Sequence, residues 1–301
     1  MIAAFIGIDW GTTNRRAYRL AADGALLDSF GDDQGLLAAQ GRFPQALATV
    51  LDHWSLADAR VLLSGMVGSR GGWREAPYLD AAVPVRDLPL HLMPIDSETI
   101  SGRRRLDCRI APGYRWRDTD GPDVMRGEET QILGALELGA SDGWFVLPGT
   151  HSKWVRIENG ALRDLRTFMT GELFATMTRS GTLAGLMTDA IESPAAFAAG
   201  VDAAKTGALS HSLFGCRARV VVDAMPANEA RSYLSGLLIG AEWHDIRARN
   251  REPMQKVEII GSPALARDYA LVAAMFDVEP VTREPDPVYV AALRRFMAAW
   301  S

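Results

Sequence analysis

Two short segments place glycine and small polar side chains directly after an apolar, strand-like run. The first segment follows the acid Asp9 and comprises Gly11, Thr12, Thr13 and Asn14. The second comprises Gly149, Thr150, His151, Ser152 and Lys153. Glycine lets the backbone approach a phosphate closely, successive turn N–H groups form an anion-binding concavity, and hydroxyls add donors without bulk. Two such turns facing each other could hold a polyphosphate from both sides.

The two segments head a longer repeat, which spans 5–30 and 145–168. In both copies an apolar strand, a Gly-Thr turn and a second strand lead to a glycine turn, Asp23-Gly24 or Asn159-Gly160. Both glycine turns continue as Ala-Leu-x-Asp, and the two glycines of a copy are 13 residues apart in the first copy and 11 in the second. This self-similarity predicts a duplicated domain, although any two β-hairpins share some features. The Asp23-Gly24 pair predicts a hairpin turn with positive φ at both residues.

The composition favours a globular intracellular protein with two domains. The chain has 301 residues of which 48% are hydrophobic, enough to bury a sizeable core. Its net charge of -5 does not indicate a surface that binds nucleic acid. Its two cysteines suggest neither a disulfide framework nor a zinc site. We find no signal peptide and no apolar run of the roughly 20 residues that span a bilayer. We therefore expect a cytoplasmic protein without nucleic-acid or membrane partners.

The positions that could do chemistry must be held by alternating strands and helices, a pattern that predicts an α/β fold. Strands are predicted for the repeat and for 61–64, 218–222 and 257–260. Helices are predicted for 40–54, 130–138, 171–187, 194–207, 228–249, 263–276 and 287–300. The glycine- and proline-rich segment 68–94 is predicted to be irregular. Neither a G-x-x-x-x-G-K-[ST] nor a G-x-G-x-x-G motif occurs, so P-loop and Rossmann sites are disfavoured.

The chain resembles the actin, Hsp70 and sugar-kinase superfamily, whose members bind ATP between two ribonuclease-H-like domains. Residues 5–16 resemble its first phosphate motif and 147–153 its second. Residues 259–265 resemble its adenosine motif, with Gly261-Ser262 in place of the usual Gly-Gly. The segments 126–136 and 288–297 correspond to its two connecting helices, and their small residues would permit close interdomain packing.

This resemblance implies an α/β fold with two ribonuclease-H-like, actin-like ATPase domains flanking an interdomain ATP cleft. We expect the N-terminal domain to comprise 1–122 plus 286–301, with the substrate loops and the returning C-terminal helix. The C-terminal domain would comprise 123–285, with the second phosphate motif and the adenosine motif.

Five motifs in order make the resemblance more specific. They are DWGTTN at 9–14, GMVGSRGGW at 65–73, MRGEETQ at 125–131, PGTHSK at 148–153 and FMTGELF at 168–174. Together they are similar to the 2-keto-3-deoxygalactonate kinase family. This resemblance implies that the chain uses MgATP to phosphorylate the terminal 6-hydroxyl of 2-dehydro-3-deoxy-D-galactonate, in galactonate catabolism.

The resemblance also implies roles for individual residues. Asp9 would hold Mg²⁺ through water, the alternative being an Asp that caps its own turn. The ATP phosphates would be contacted by Gly11, Thr12, Thr13 and Asn14 from one domain and by Gly149, Thr150, His151, Ser152 and Lys153 from the other. Gly261 and Ser262 would lie at the adenosine.

Related kinases use an Asp at the start of the first connecting helix as the catalytic base. Glu128 and Glu129 occupy this place here, with Arg126 close by, so we expect one of the two glutamates to be the base and favour Glu128. The alternative is that both acids serve the positive end of a helix dipole.

Because the implied substrate is a carboxylate, an arginine fork is its expected partner. Arg70 is the candidate, and the pocket would be lined by Ser69, Trp73, Glu75 and Tyr78, although a surface loop with a locally packed Trp fits equally well. Thr170 and Glu172 would touch the substrate or cap the helix that follows.

Three other functions remain open at this stage. They are a kinase for another sugar or sugar acid, an Hsp70- or actin-like ATPase switch, and a non-enzymatic ligand-binding protein. The sequence leaves open the stereochemistry of the sugar acid and the oligomeric state, for which a homodimer is one alternative.

Overall fold

Strands and helices alternate along the chain in the computed structural model, which describes residues 4–96, 105–187, 189–250 and 252–300. The fold is therefore mixed α/β, as the sequence predicts. The strands are β1 (Ala4–Trp10), β2 (Arg15–Leu20), β3 (Leu26–Asp32), β4 (Asp58–Gly65), β5 (Tyr78–Asp80), β6 (Met93–Ile95), β7 (Arg105–Ile110), β8 (Gly113–Asp118), β9 (Gly121–Met125), β10 (Gly143–Leu147), β11 (Ser152–Glu158), β12 (Ala161–Phe168), β13 (Lys256–Ile260) and β14 (Glu279–Arg283).

The helices are α1 (Leu36–Ala39), α2 (Phe43–His53), α3 (Glu128–Glu137), α4 (Thr170–Arg179), α5 (Gly181–Ala184), α6 (Pro194–Ala203), α7 (Leu209–Val221), α8 (Ala230–Arg249), α9 (Pro263–Met275) and α10 (Pro285–Ala299). Short 3₁₀ turns connect several of them. None of the helices in the described ranges is long and apolar enough to cross a membrane.

The first copy of the repeat forms half of a six-stranded sheet, ordered β3-β2-β1-β4-β7-β6. β1 pairs antiparallel with β2 and parallel with β4, so the carboxyl ends of β1 and β4 lie side by side. The crossover between β1 and β4 includes α2, whose Phe43, Leu47 and Val50 recur at helical spacing and are buried in the core. This arrangement brings Asp9 to the sheet edge next to Ser64 and Gly65.

The second copy supplies three strands of a five-stranded sheet with the equivalent order, β12-β11-β10-β13-β14. β10 pairs parallel with β13, as β1 does with β4. The repeat predicted from the sequence is therefore confirmed at the level of strand order.

The glycine turns of the two copies differ. Asn159 and Gly160 both have positive φ, at 52° and 74°. In the first copy only Gly24 does, at 84°, so the expectation of positive φ at both Asp23 and Gly24 was wrong. The turn instead closes through hydrogen bonds between Ala21 and both Gly24 and Ala25.

Several predicted elements are also corrected. Residues 218–221 are the end of α7, not a strand, because Cys216 and its neighbours pack against α8 in a shared core. The segment 171–187 contains two helices, α4 and α5. The segment 68–94, predicted to be irregular, contains β5, part of β6 and a 3₁₀ helix, Val85–His91.

The chain divides into two compact units by its internal contacts. Unit 1 comprises 1–143, 155–165 and 283–301, and unit 2 comprises 144–154 and 166–282. The predicted domain boundaries at 122/123 and 285/286 remain a prediction.

Helices α3 and α10 pack together within unit 1. A Cβ at Gly134 of α3 would lie 1.9 Å from the Val288 carbonyl oxygen, so only glycine allows this approach. Glu128 and Glu129 lie at the start of this helix.

Candidate active site

Asp9 lies at the carboxyl end of β1 and is half-buried. Burial raises the pKa of its carboxyl to about 6; the charge of Arg16 opposes this shift, and the charges of Glu128 and Asp286 add to it. Gly65 follows the neighbouring strand with a φ of 82°, and a Cβ there would lie 2.7 Å from the Trp10 carbonyl oxygen and 3.5 Å from Asp9 Oδ1. Glycine thus keeps the space beside the carboxylate open.

The first glycine turn is closed by its own backbone. The Gly11 N–H donates to the Asn14 carbonyl at 2.9 Å, while Leu36 and Leu37 of α1 donate to the carbonyls of Gly11 and Thr12. The side chains of Thr12, Thr13 and Asn14 are exposed. The turn is therefore supported from behind by α1, and its hydroxyl and amide groups face solvent.

Glu128 and Glu129 open α3 in different environments. Gly127, with a φ of 109°, donates its N–H to both Glu129 carboxylate oxygens, at 2.9 and 2.8 Å, and Glu129 is fully buried. Burial raises the pKa of Glu129 to about 7, with a further contribution from the charge of Glu128. Glu128 is only half-buried and accepts a hydrogen bond from the Arg126 N–H at 3.0 Å. Glu128 alone of the two retains solvent access.

Arg126 is buried beside the loop 69–78, which carries most of the residues predicted to bind the substrate. One Nη donates to the Ala76 carbonyl at 2.7 Å, and the guanidinium lies 4.2 Å from the centre of the Tyr78 ring. The structure thus brings Arg126 and Tyr78 together.

The other residues predicted to bind the substrate differ in their exposure and in their contacts. Arg70 and Glu75 are exposed. Ser69 donates to the Met66 carbonyl, and Trp73 stacks on Phe43 at 6.2 Å between ring centres. Trp73 therefore packs on the core, as the local-packing alternative predicts, while the exposed Arg70 is accessible to a ligand.

The second glycine turn is supported by α4. A Cβ at Gly171 would lie 2.2 Å from the Gly149 carbonyl oxygen, and the Glu172 N–H donates to the Thr150 carbonyl at 2.9 Å. Thr150 and His151 are exposed, and His151 Nε2 lies 2.6 Å from a Glu172 carboxylate oxygen. Glu172 therefore contacts the turn.

Three predicted ligand residues of unit 2 have side chains engaged inside the protein. Lys153 is buried, and its Nζ donates to the His151 carbonyl at 3.3 Å. Ser152 and Thr170 both donate to the carboxylate of Glu242. Met169, not Thr170 or Glu172, occupies the position before α4, and no side chain caps this helix. The capping alternative is therefore wrong, and the ligand contacts of these residues remain predictions.

A cavity of about 670 Å³ lies within unit 2, beside the second glycine turn. The turn contributes Pro148 and Gly149, α4 contributes Thr170 and Gly171, and α9 contributes Ala264 and Leu265. Gly261 is adjacent, because a Cβ there would lie 3.4 Å from Pro148 Cδ. The predicted second phosphate motif and adenosine motif are thus neighbours at a pocket large enough for a small organic ligand.

Sequence reasoning missed two acids at these sites. Asp286 of α10 accepts hydrogen bonds from the Tyr18 hydroxyl at 2.8 Å and from Arg16 at 3.2 Å, and its charge reaches Asp9. Glu242 of α8 lies under the second turn. Neither acid occurs in a local motif, so no signal in the sequence points to them.

In the described part of the chain, no group of three or more His, Cys, Asp or Glu side chains could hold a metal ion. This finding is compatible with a Mg²⁺ site of the kind predicted, since Mg²⁺ is usually bound through one or two carboxylates, waters and substrate phosphates. The half-buried Asp9 offers such an oxygen ligand.

Comparison with known proteins decides the family. A sequence model of the 2-keto-3-deoxy-galactonokinase family matches residues 9–296. The chain belongs to the 2-keto-3-deoxy-galactonokinase family. This confirms the resemblance carried by the five motifs, all of which lie inside the matched range.

Relatives in this kinase family support the assignment along most of the chain. The 2-dehydro-3-deoxygalactonokinase of Escherichia coli (strain K12) is 36% identical over 249 residues, which are 82% of each chain. A probable 2-dehydro-3-deoxygalactonokinase of Rhizobium meliloti (strain 1021) is 36% identical over 79% of this chain and 78% of its own length.

One solved structure supports the family assignment, and another shows that a more distant protein has a similar fold. A crystal structure named for a 2-dehydro-3-deoxygalactonokinase of Sinorhizobium meliloti has a TM-score of 0.86 at 32% identity, covering 98% of this chain and 96% of that one. Component A of the (R)-2-hydroxyglutaryl-CoA dehydratase of Acidaminococcus fermentans has a TM-score of 0.51 at 12% identity, covering 99% and 100%. The second similarity concerns the fold alone.

Proposed function

We propose that this chain is an ATP-dependent kinase that phosphorylates the 6-hydroxyl of 2-dehydro-3-deoxy-D-galactonate, giving the 6-phosphate and ADP. The family match over 9–296 carries this proposal. The partly accessible acid Asp9 beside an exposed Gly-Thr turn supports it, because phosphoryl transfer needs a metal ligand and phosphate donors in one place.

Asp9 is the proposed ligand of Mg²⁺. When bound with ATP, Mg²⁺ neutralises charge on the transferred phosphoryl group. Burial and the nearby charges of Glu128 and Asp286 raise the pKa of Asp9, and a bound divalent cation would favour its ionised form. The backbone N–H groups and hydroxyls of Thr12 and Thr13 would then contact phosphate oxygens, while the Gly11 N–H stays on the Asn14 carbonyl.

Glu128 is the proposed base for the sugar hydroxyl. Its partial exposure leaves it able to reach a ligand. Glu129, in contrast, is fully buried and accepts a hydrogen bond from the Gly127 N–H. Glu129 would hold the start of α3 in place, and Arg126 would keep Glu128 oriented through its backbone N–H.

Arg70 is the proposed partner of the substrate carboxylate. It is the predicted cation of the 65–73 motif, and its guanidinium is exposed on a loop that Ser69 and Trp73 anchor to the protein. A guanidinium can bind a carboxylate through two parallel hydrogen bonds.

The nucleotide is proposed to lie with its base in the unit 2 cavity and its phosphates at the glycine turns. Pro148 and Gly149 line that cavity next to Gly261, which supports this orientation. As part of the same proposal, each unit corresponds to one ribonuclease-H-like domain of the superfamily.

The proposal is tested by measuring ADP release with MgATP across a panel of 2-keto-3-deoxy sugar acids of both galacto and gluco configuration, and across ordinary hexoses. We expect fast release with 2-dehydro-3-deoxy-D-galactonate and slow release with hexoses. Fast release with hexoses alone would indicate another sugar kinase, and acceptor-independent hydrolysis would indicate an ATPase switch. Either result would contradict the proposal.

A further inference from the structure

A buried carboxylate of unit 2 has no role in the site described so far. Glu242 lies in the middle of α8 with 1% of its surface exposed. Burying a carboxylate is costly unless hydrogen bonds replace its water, and burial raises the pKa of Glu242. The position of this buried carboxylate therefore needs an explanation.

Four donors satisfy this carboxylate, two on each oxygen. Oε2 accepts from Ser152 Oγ at 3.0 Å and from the Trp154 indole N–H at 2.7 Å. Oε1 accepts from the Tyr269 hydroxyl at 2.7 Å and from the Thr170 hydroxyl. The donors lie on β11, α4 and α9, so one side chain of α8 joins three other elements.

Two of these elements, α4 and α9, line the cavity beside the second glycine turn together with α6 and α8, and β11 begins directly after the turn. Thr170 and Tyr269 line it, whereas Glu242 touches it only through them. Ser152 directly follows the turn at 148–151, and Gly171 packs against the turn at Gly149. A shift at Glu242 would therefore move the turn and two cavity walls together.

We infer that Glu242 is a positioning residue that holds the second glycine turn, the start of α4 and helix α9 in the arrangement that binds the nucleotide. This inference rests on the proposed function, because it presupposes that the unit 2 cavity receives ATP. Glu242 itself contacts neither ATP nor the sugar acid.

The chemistry of the donors explains why a carboxylate serves better than an amide here. The Trp154 indole can only donate, so in Glu242→Gln the amide oxygen must stay on the side of Trp154 and Ser152. The amide nitrogen then faces Thr170 and Tyr269, whose hydroxyls must become acceptors. Packing is kept, but two charge-assisted hydrogen bonds to the cavity walls are lost.

The test compares Glu242→Gln with Asp245→Asn, a matched control on the same helix. Asp245 pairs with Arg166 and Arg249 and does not line the cavity. MgADP affinity is measured by calorimetry without sugar acid, and KM for each substrate and kcat by steady-state kinetics. We expect Glu242→Gln to weaken MgADP and raise KM for ATP about tenfold, with KM for the sugar acid changed less than twofold and Asp245→Asn like wild type.

A merely structural role would lower melting temperature and the active fraction without separating the two KM values. Equal changes in both KM values, or an unchanged MgADP affinity, would overturn the inference. If Glu242→Gln does not fold, Thr170→Val and Tyr269→Phe decide the question, each removing one donor. Unchanged MgADP affinity in both would also overturn it. Wild-type protein that does not bind MgADP would refute the proposed function instead.

Discussion

The two glycine turns share one strand–turn–strand frame, but the acid associated with each is placed differently. Asp9 lies two residues before Gly11 and is partly accessible, with a pKa raised to about 6. The equivalent position before Gly149 is Leu147, which is buried in the core. The acid of the second site, Glu242, comes from a helix and is saturated by four donors.

This difference shows how one motif can serve two purposes. A carboxylate with an elevated pKa and few donors can take up a cation, so the first turn suits metal-assisted chemistry. A carboxylate with every lone pair occupied binds nothing further, but it fixes the groups around it. In our proposal the acid of the first copy binds a ligand, whereas the acid of the second copy holds the turn.

Among the variants that test this difference between the two turns, Glu128→Gln should have the largest effect on activity. Loss of the proposed base should lower kcat by about 10²- to 10⁴-fold while MgADP affinity stays unchanged. Single-turnover kinetics and calorimetry measure the two quantities. Near-normal turnover would move the role to Glu129, which the parallel variant Glu129→Gln would reveal.

Asp9→Asn should separate stability from activity. The folded pKa of Asp9, about 6, is above its ordinary value of 3.8, so the proton favours the fold and the stabilisation is lost as the pH rises through 6. At pH 8 the substitution should raise the free energy of unfolding by about 1–3 kcal/mol, and at pH 3.5 by much less. Activity should fall about 100-fold.

Urea unfolding at the two pH values, together with a Mg²⁺ titration of activity, measures both effects. In wild-type protein kcat/KM should also decline as the pH falls through about 6, because Asp9 must be ionised to bind a cation. An Asp9→Asn protein that is less stable at pH 8 would show instead that this carboxylate stabilises the fold.

Gly171→Ala should disturb the second turn without touching its acid. The added Cβ would lie 2.2 Å from the Gly149 carbonyl oxygen, so the turn or α4 must shift. KM for ATP should rise about tenfold, with a smaller change for the sugar acid. Gly215→Ala in α7 is the control, because a Cβ there meets nothing within 4 Å. Equal behaviour of the two variants would argue against the importance of this support.

The smallest effect is expected from Arg70→Lys in unit 1. Losing the two-pronged guanidinium should raise KM for the sugar acid about threefold to tenfold and leave KM for ATP unchanged. Arg74→Lys, an exposed neighbour in the same loop, is the matched control. An equal rise in both KM values for Arg70→Lys would remove Arg70 from the substrate site.

The sequence predicted well those features that are encoded within short windows. The alternation of apolar residues and the small polar turns predicted the strands of both copies, because both patterns lie within a few neighbouring residues. The prediction of a strand at 218–222 was wrong. Three consecutive valines favour a strand locally, but packing of Cys216 and its helix against α8 outweighs that weak preference.

The sequence alone determined the repeat, the kinase family and the residues of both glycine turns, since these depend on residue types at fixed spacing. Only the tertiary structure decided that Glu129 is sealed while Glu128 is accessible, that Trp73 packs on the core, and that Glu242 anchors the second turn. Burial and hydrogen bonding between distant segments depend on how helices and strands pack, and no local pattern encodes that packing.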